Sequence, residues 1–98
     1  MAVYVDNYGV SYGRMTMSHM IADTPEELLA MADKIGVNRR WLQEAGTYKE
    51  HFDICKSKRA LAVRHGAIEL SIVEFGRKLL SRNDRGRALL ARLSHPDK

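Results

Sequence analysis

The sequence has one cysteine, few aromatic residues and no long apolar run, and each shortage excludes a class of protein. A single cysteine, Cys55, excludes an intrachain disulfide and a zinc site built from cysteines. The apolar runs are too short for a helix that crosses a membrane. The start of the chain lacks the basic and apolar regions of a signal peptide, so we expect a cytoplasmic protein of a bacterial host, with no membrane partner.

Common enzyme signatures are missing as well. The chain has no Walker loop, no G-x-G-x-x-G, no H-E-x-x-H, no G-x-S-x-G and no zinc-finger spacing. Function therefore has to be inferred from individual polar residues.

Charge is divided unevenly along the 98 residues, a length that supports one domain. Residues 1–53 carry five Lys/Arg against eight Asp/Glu, a net charge of −3, whereas residues 54–98 carry eleven against four, a net charge of +7. The basic half has two interpretations: a solvated helix face, or a surface that attracts polyanions. Its basic residues are not interleaved with aromatic ones, unlike those of a platform for single-stranded nucleic acid.

The first half of the chain predicts two strands and a helix. Residues 3–5 and 15–21 read as strands, with a glycine-punctuated loop over residues 8–13 between them. Thr24 is the expected N-cap of a helix that begins at Pro25 and that Gly36 ends. The apolar face of this helix consists of Leu28, Met31, Ala32 and Ile35.

The second half predicts two further helices around a strand. Residues 57–64 read as a helix capped by its first residue, and residues 67–70 follow as a strand. Ser71 and Glu74 form a capping box that begins a helix over residues 72–82. The side chains expected to be buried in the first of these helices are Ala60, Leu61 and Val63.

These elements predict an α/β fold. A helix that returns through Gly-Ala to a short apolar strand is the second half of a βαβ unit. We expect a small, partly parallel sheet of three to four short strands with three to four helices. This compact domain spans residues 1–82, and a basic helical extension follows over residues 83–98.

Three aspartates are the candidate metal ligands: Asp6, Asp23 and Asp53. The first two follow predicted strands, and ligands of α/β sheets bind beyond the carboxyl ends of strands. Carboxylates suit Mg²⁺ or Mn²⁺. For Asp6 the alternative is an Asx turn, and for Asp23 a favourable interaction with the dipole of the next helix.

His51, Asp53 and His19 are the candidate catalytic residues, as a proton donor or acceptor and its partner. His51 and Asp53 form an H-x-D pair, and in a strand both side chains lie on one face, whereas in a helix they diverge. His19 lies on an apolar strand, where the alternative is a hydrogen-bonded core histidine.

A basic cluster follows this pair. Ser57, Lys58 and Arg59 begin a predicted helix, where free N–H groups and cations suit a phosphate; the alternative is an N-cap with an exposed basic turn. A second group of candidates, which would contact a nucleotide base, lies before this pair in the chain. These residues are Arg39, Arg40 and Trp41. For Trp41 in this group the alternative is a buried side chain of the core.

Blocks of polar and aromatic residues follow one another over residues 1–70. They include Tyr4-Val5-Asp6-Asn7, Tyr12-Gly13-Arg14-Met15, Met17-Ser18-His19-Met20, Arg40-Trp41, His51-Phe52-Asp53-Ile54 and Ser57-Lys58-Arg59-Ala60. In these blocks the sequence resembles the domain of unknown function 4031 family, small proteins of bacteria and their phages. The resemblance implies a self-standing domain in a phage or prophage setting and supplies no activity. Its motif positions include most of the polar residues chosen above.

Three hypotheses follow. The first is metal-assisted hydrolysis of a phosphate-containing ligand, a nucleotide or nucleic-acid phosphodiester. The second is a module that captures a nucleotide without cleaving it. The third is a DNA-associated or homo-oligomerising protein that acts through its basic C-terminal segment, from Arg77 to Arg92.

Overall fold

The computed structural model describes residues 2–7, 10–12 and 15–82. In these residues five strands form one mixed sheet, and three α-helices pack on it. In chain order the elements are β1 (Val3–Val5), β2 (Val10–Tyr12), β3 (Met15–Ala22), α1 (Pro25–Ile35), a 3₁₀ helix (Arg39–Trp41), β4 (Phe52–Cys55), α2 (Lys56–Arg64), β5 (Ile68–Glu69) and α3 (Ile72–Leu80). The expected α/β class is confirmed. The predicted basic extension over residues 83–98 lies outside the described residues.

The sheet is built around β3, its longest strand. β1 and β2 both pair with β3 antiparallel, and β4 pairs with it antiparallel as well, whereas β5 pairs with β1 in parallel. The sheet is therefore partly parallel, as expected, and α2 connects β4 to β5 as the predicted return of a βαβ unit. The loop predicted over residues 8–13 is wrong at Val10–Tyr12, because these residues continue the hairpin with β3.

Helix α1 matches its prediction. Thr24 Oγ1 accepts a hydrogen bond from the Glu27 N–H at 3.2 Å, and Pro25 is the first helical residue. Gly36 ends the helix with a φ of 77°, a left-handed conformation that favours glycine. The four apolar residues predicted for its face are buried.

The other two helices were predicted with errors at their ends. Helix α3 begins with the expected capping box. Ser71 Oγ accepts a hydrogen bond from the Glu74 N–H at 3.1 Å, and Glu74 Oε1 accepts one from the Ser71 N–H at 2.8 Å. Helix α2 begins at Lys56 with Cys55 as N-cap, so the prediction of Ser57 as the cap is wrong. Ala62 is its buried residue, whereas Ala60 is exposed.

Alternation along β3 and β4 divides their side chains between the two faces of the sheet. One face carries Met20, Phe52 and Ile54, which are fully buried in a core shared with α1 and α2. Burial of each such side chain contributes about 1.5–3 kcal/mol. The opposite face carries His19, whose ring lies 6.1 Å from the ring of Phe75 in α3. Within the described residues, no helix is long and apolar enough to cross a membrane.

Candidate functional site

The pairing of β3 with β4 brings three polar side chains together on the face of the sheet that α3 covers. His19 lies directly opposite Asp53, and its Nε2 is 3.7 Å from Asp53 Oδ1. His51 lies two residues before Asp53, and its Nε2 is 3.4 Å from the same oxygen. Of the two arrangements that the sequence left open for His51 and Asp53, the structure has that of a strand, with both side chains on one face. One ligand atom from each of the three residues lies within 4.8 Å of the others.

Asp6 orients the ring of His19. After β1 ends, the Asp6 N–H still bonds to the His19 carbonyl, at 3.1 Å. In the opposite direction the His19 N–H donates to the Asp6 side chain, at 2.9 Å from Oδ1. The second oxygen of the same carboxylate, Oδ2, lies 2.7 Å from Nδ1 of the His19 ring. Asp6 is buried, with 3% of its surface exposed. Since a carboxylate only accepts, Nδ1 carries the proton and the Nε2 lone pair of the neutral ring faces Asp53.

The environment of His19 favours a positive charge at this position. The hydrogen bond with Asp6 raises the pKa of His19 above its usual value, burial of the ring opposes this, and the charges of Asp6 and Asp53 add to it. The negative charges of Asp6 and Asp53 that favour a proton on His19 would favour a metal ion bound to it for the same electrostatic reason.

His51 is held in a matching orientation by the backbone. Its Nδ1 donates to the Lys49 carbonyl at 2.6 Å, so its Nε2 lone pair in the neutral ring also faces Asp53. A two-way backbone bridge between Gln43 and His51, with bonds of 2.9 and 3.1 Å, closes the loop of residues 44–50. Gln43 Nε2 donates to Asp53 Oδ2 at 2.7 Å and fixes the carboxylate as well.

The other oxygen of Asp53 completes the cluster. Among the described residues, Oδ1 is the buried side-chain oxygen that accepts no hydrogen bond. With both imidazole rings neutral, three acceptor atoms therefore converge on one point, an arrangement that a bound cation stabilises. In a tetrahedral site with bonds of about 2.1 Å, neighbouring ligands lie roughly 3.4 Å apart, close to the two distances observed here. Outer hydrogen bonds of the kind made by Asp6 and Lys49 are typical of metal-binding histidines.

A cavity of about 460 Å³ opens beside His19 and His51. Helix α3 forms its apolar wall through Ile72, Phe75 and Leu79, and the exposed residues Lys49 and Glu44 line it as well. Glu44 has a φ of 57°, in the left-handed region that a glutamate rarely adopts. Such conformations concentrate at functional sites.

Asp23 lies away from this cluster. β1 and β3 are antiparallel, with Val5 opposite Met20 and Val3 opposite Ala22, so their carboxyl ends lie at opposite ends of the hairpin. The expectation that Asp6 and Asp23 share one edge is therefore wrong. Asp23 accepts hydrogen bonds from the Ala2 N–H at 2.9 Å and from Tyr4 Oη at 3.1 Å. It also pairs with Lys78 at 3.2 Å.

The basic residues at the start of α2 contact protein groups instead of the cavity. Arg59 Nε donates to the Asp6 carbonyl at 2.7 Å, and its guanidinium pairs with Glu69 at 3.1 Å. Ser57 Oγ lies 3.3 Å from Cys55 Sγ. Lys58 Nζ lies beside Gly36, at the end of α1. Arg59 thus supports the cluster through the residue that orients His19.

The 3₁₀ helix also lies outside the cavity. Arg39 pairs with Asp33 of α1 at 2.8 Å, and the guanidinium of Arg40 lies 4.8 Å from the ring centre of Trp41. Trp41 is 59% exposed, so the interpretation of this residue as a core side chain is wrong. Sequence patterns do not predict a role for Glu44, Lys49 or Phe75, because the loop and α3 reach the cluster through contacts between residues distant in the chain.

The fold and the site define a small α/β domain with a two-histidine, one-carboxylate cluster on the face of its sheet that α3 covers. The chain belongs to the family described as protein of unknown function (DUF4031), whose profile matches residues 3–82. The resemblance noted in the sequence is thus confirmed. No curated protein and no solved structure matches the chain.

Proposed function

We propose that the protein holds a divalent metal ion between His19, His51 and Asp53 and hydrolyses a phosphate ester, a nucleotide or nucleic-acid phosphodiester. One observation carries the proposal: three acceptor atoms converge, and outer hydrogen bonds direct both Nε2 lone pairs to the same carboxylate oxygen. Three protein ligands leave coordination positions for water and substrate, as in catalytic metal sites.

The donor set bears on the choice of metal. Imidazole nitrogens suit Zn²⁺, Fe²⁺ and other transition ions, whereas Mg²⁺ prefers oxygen ligands. Of the two ions expected from the carboxylates alone, Mn²⁺ therefore fits better than Mg²⁺. We expect Zn²⁺, Fe²⁺ or Mn²⁺ at this position.

The residues of the cavity have separate roles in the proposed reaction. A divalent ion acidifies a water molecule and polarises a phosphate oxygen. Lys49 lines the cavity, and its ammonium group, which lies 5.8 Å from the ring centre of Tyr48, is the candidate for binding the phosphate. Glu44 lines the same cavity, and its carboxylate is the candidate for accepting a proton from the attacking water. Glu44 has a left-handed backbone conformation, which is strained for a glutamate, and residues with such strain are concentrated at functional sites. This supports a functional role for its side chain.

Metal removal and reloading test the proposal. Protein dialysed against EDTA is expected to lose hydrolysis of bis(p-nitrophenyl) phosphate and of a dinucleotide, and to regain it with Mn²⁺ or Zn²⁺. His51→Ala and Asp53→Asn are expected to abolish the regained activity. His65→Ala is the matched control, because His65 is an exposed histidine at the end of α2, and this variant is expected to retain activity.

Two results would overturn this assignment. Hydrolysis that survives EDTA shows that no metal is needed, and equal activity of His51→Ala and His65→Ala shows that the cluster is not involved. Ligand released from heat-denatured protein after incubation with nucleotides separates catalysis from capture. Altered ligand supports hydrolysis, and intact ligand supports a binding module.

A second candidate is oxygen chemistry at Fe²⁺, which the two-histidine, one-carboxylate donor set favours, since non-haem iron oxygenases use this set. Hydrolysis is expected to proceed under argon with Zn²⁺, whereas an oxygenase requires both Fe²⁺ and oxygen. Oxygen uptake by Fe²⁺-loaded protein, with no hydrolysis under argon, would select the second candidate.

A further inference from the structure

The cavity beside the histidines has a gap in its wall at Gly76. This residue lies inside α3, where glycine weakens a helix relative to alanine. Its conformation does not require glycine, since among the described glycines the positive φ angles belong to Gly36, Gly46 and Gly66. A Cβ placed on Gly76 meets no described atom within 4 Å. Neither backbone geometry nor close packing explains this glycine, and the space that it leaves lies in the cavity wall.

The surfaces around this gap suit a flat aromatic group. The ring of Phe75 lies 6.1 Å from that of His19, which in turn meets the ring of His51 edge-on at 5.6 Å. Flat π-systems pack well against such rings. The exposed residues Glu44 and Lys49 also line the cavity, so it has a polar side opposite its apolar wall, which suits a base with a polar edge better than an aliphatic chain.

We infer that this cavity is a nucleobase subsite and that Gly76 sets its width. The inference rests on the proposed function for the phosphate, which the metal cluster would hold while the base lies against the apolar wall that α3 forms. The cavity volume, about 460 Å³, lies within the range of small-molecule sites, about 300–1,000 Å³. A mononucleotide, or one end of a dinucleotide, is therefore the substrate class.

Binding measurements without turnover test the subsite. Calorimetry on Zn²⁺-loaded protein compares AMP and CMP with ribose 5-phosphate, which lacks the base. The wild type is expected to bind at least one of the two nucleotides about tenfold or more tightly than ribose 5-phosphate, the scale of base stacking on an aromatic ring. Gly76→Leu is expected to reduce this ratio to about 1, and Gly76→Ala to an intermediate value. Val73→Leu adds bulk at an exposed position of the same helix and is expected to leave the ratio unchanged.

Each other outcome has a definite meaning. Equal wild-type affinity for the nucleotides and ribose 5-phosphate overturns the subsite, whatever the hydrolysis assays show. Octyl phosphate that binds more tightly than either nucleotide assigns the cavity to an aliphatic chain and also overturns it. A Gly76→Leu variant that retains the wild-type ratio, with Zn²⁺ still bound, removes the role of Gly76. A nucleotide preference that survives in a protein without hydrolytic activity refutes the proposed reaction but supports the subsite.

Discussion

Replacement of Asp6 by asparagine separates a metal site from a chance cluster of histidines. Asp6 accepts two bonds from His19, one from the backbone N–H at 2.9 Å and one from Nδ1 at 2.7 Å. The asparagine oxygen can replace only one of these acceptors. If it faces the backbone N–H, its NH₂ group faces Nδ1, and the ring has to carry its proton on Nε2. The lone pair that faces Asp53 is then lost.

The expected loss of affinity is large for a residue that does not contact the metal. Outer hydrogen-bond partners of metal-binding histidines typically contribute 10- to 100-fold in affinity, which corresponds to about 1.4–2.8 kcal/mol. Water cannot easily replace Asp6, because the residue is only 3% exposed. We therefore expect a loss near 100-fold for Asp6→Asn.

Cobalt titration followed by visible absorption measures this affinity, with Zn²⁺ as competitor. Asp23→Asn is the matched control, because Asp23 also follows a strand of the hairpin but pairs with Lys78 instead of His19. Long-range ¹H–¹⁵N NMR spectra of the metal-free variants show which nitrogen of His19 carries the proton. Wild-type affinity in Asp6→Asn, or an equal loss in Asp23→Asn, would refute the reasoning.

Other perturbations test the strain, the helix, the cluster and the charges. Glu44→Gly is expected to raise the free energy of unfolding in urea by about 1 kcal/mol, because glycine tolerates the left-handed backbone, and to lower hydrolysis. Gly76→Ala is expected to stabilise the protein by about 0.5–1 kcal/mol in the same assay while it weakens nucleotide binding. Zn²⁺ at 100 times its Kd is expected to stabilise the wild type by about 2.7 kcal/mol in thermal melts, and Asp53→Asn is expected to lose most of this gain. Burial alone would raise the pKa of Asp23, but hydrogen bonds from Lys78 and Tyr4 outweigh it and lower that pKa. The stabilisation by Asp23 is therefore present above its unfolded pKa of about 3.9 and is lost below it, so the melting temperatures of wild type and Asp23→Asn are expected to converge as the pH falls through the folded pKa.

Local signals were sufficient for the helix termini that the sequence predicted well. The N-cap of Thr24, the glycine after α1 and the capping box of Ser71 each involve residues within four positions of one another, and the structure confirms all three. Strand β2 is not predicted, because it is only three residues long and is defined by its pairing with β3, which the residues of β2 alone do not indicate. The exposure of Trp41 is not predicted for a related reason, since it depends on the position that the 3₁₀ helix after α1 takes relative to the core.

The members of the cluster were recognisable from the sequence, but their arrangement was not. Their chemistry marks His19, His51 and Asp53 as candidate site residues, whereas a rule for parallel sheets predicts Asp6 and Asp23 at one edge. The antiparallel hairpin sends the two strand ends apart. The choice of nitrogen that faces the cluster depends on the Asp6 carboxylate and the Lys49 carbonyl, and neither contact follows from spacing along the chain.

The two halves of the cluster differ in what holds them. His19 and Asp53 are opposite one another through the same register that buries Met20, Phe52 and Ile54 on the other face. A slip of one residue exchanges the faces, and loss of these three side chains from the core costs roughly 5–9 kcal/mol, comparable with the whole stability of a small domain. The distance between His19 and Asp53 is therefore as robust as the fold. His51 instead depends on one bridge to Gln43 and on the loop of residues 44–50, which also supplies Glu44 and Lys49. A bound ion that tied His51 to the rigid pair would thus also fix the loop that carries Glu44 and Lys49, and would couple metal binding to assembly of the proposed active site.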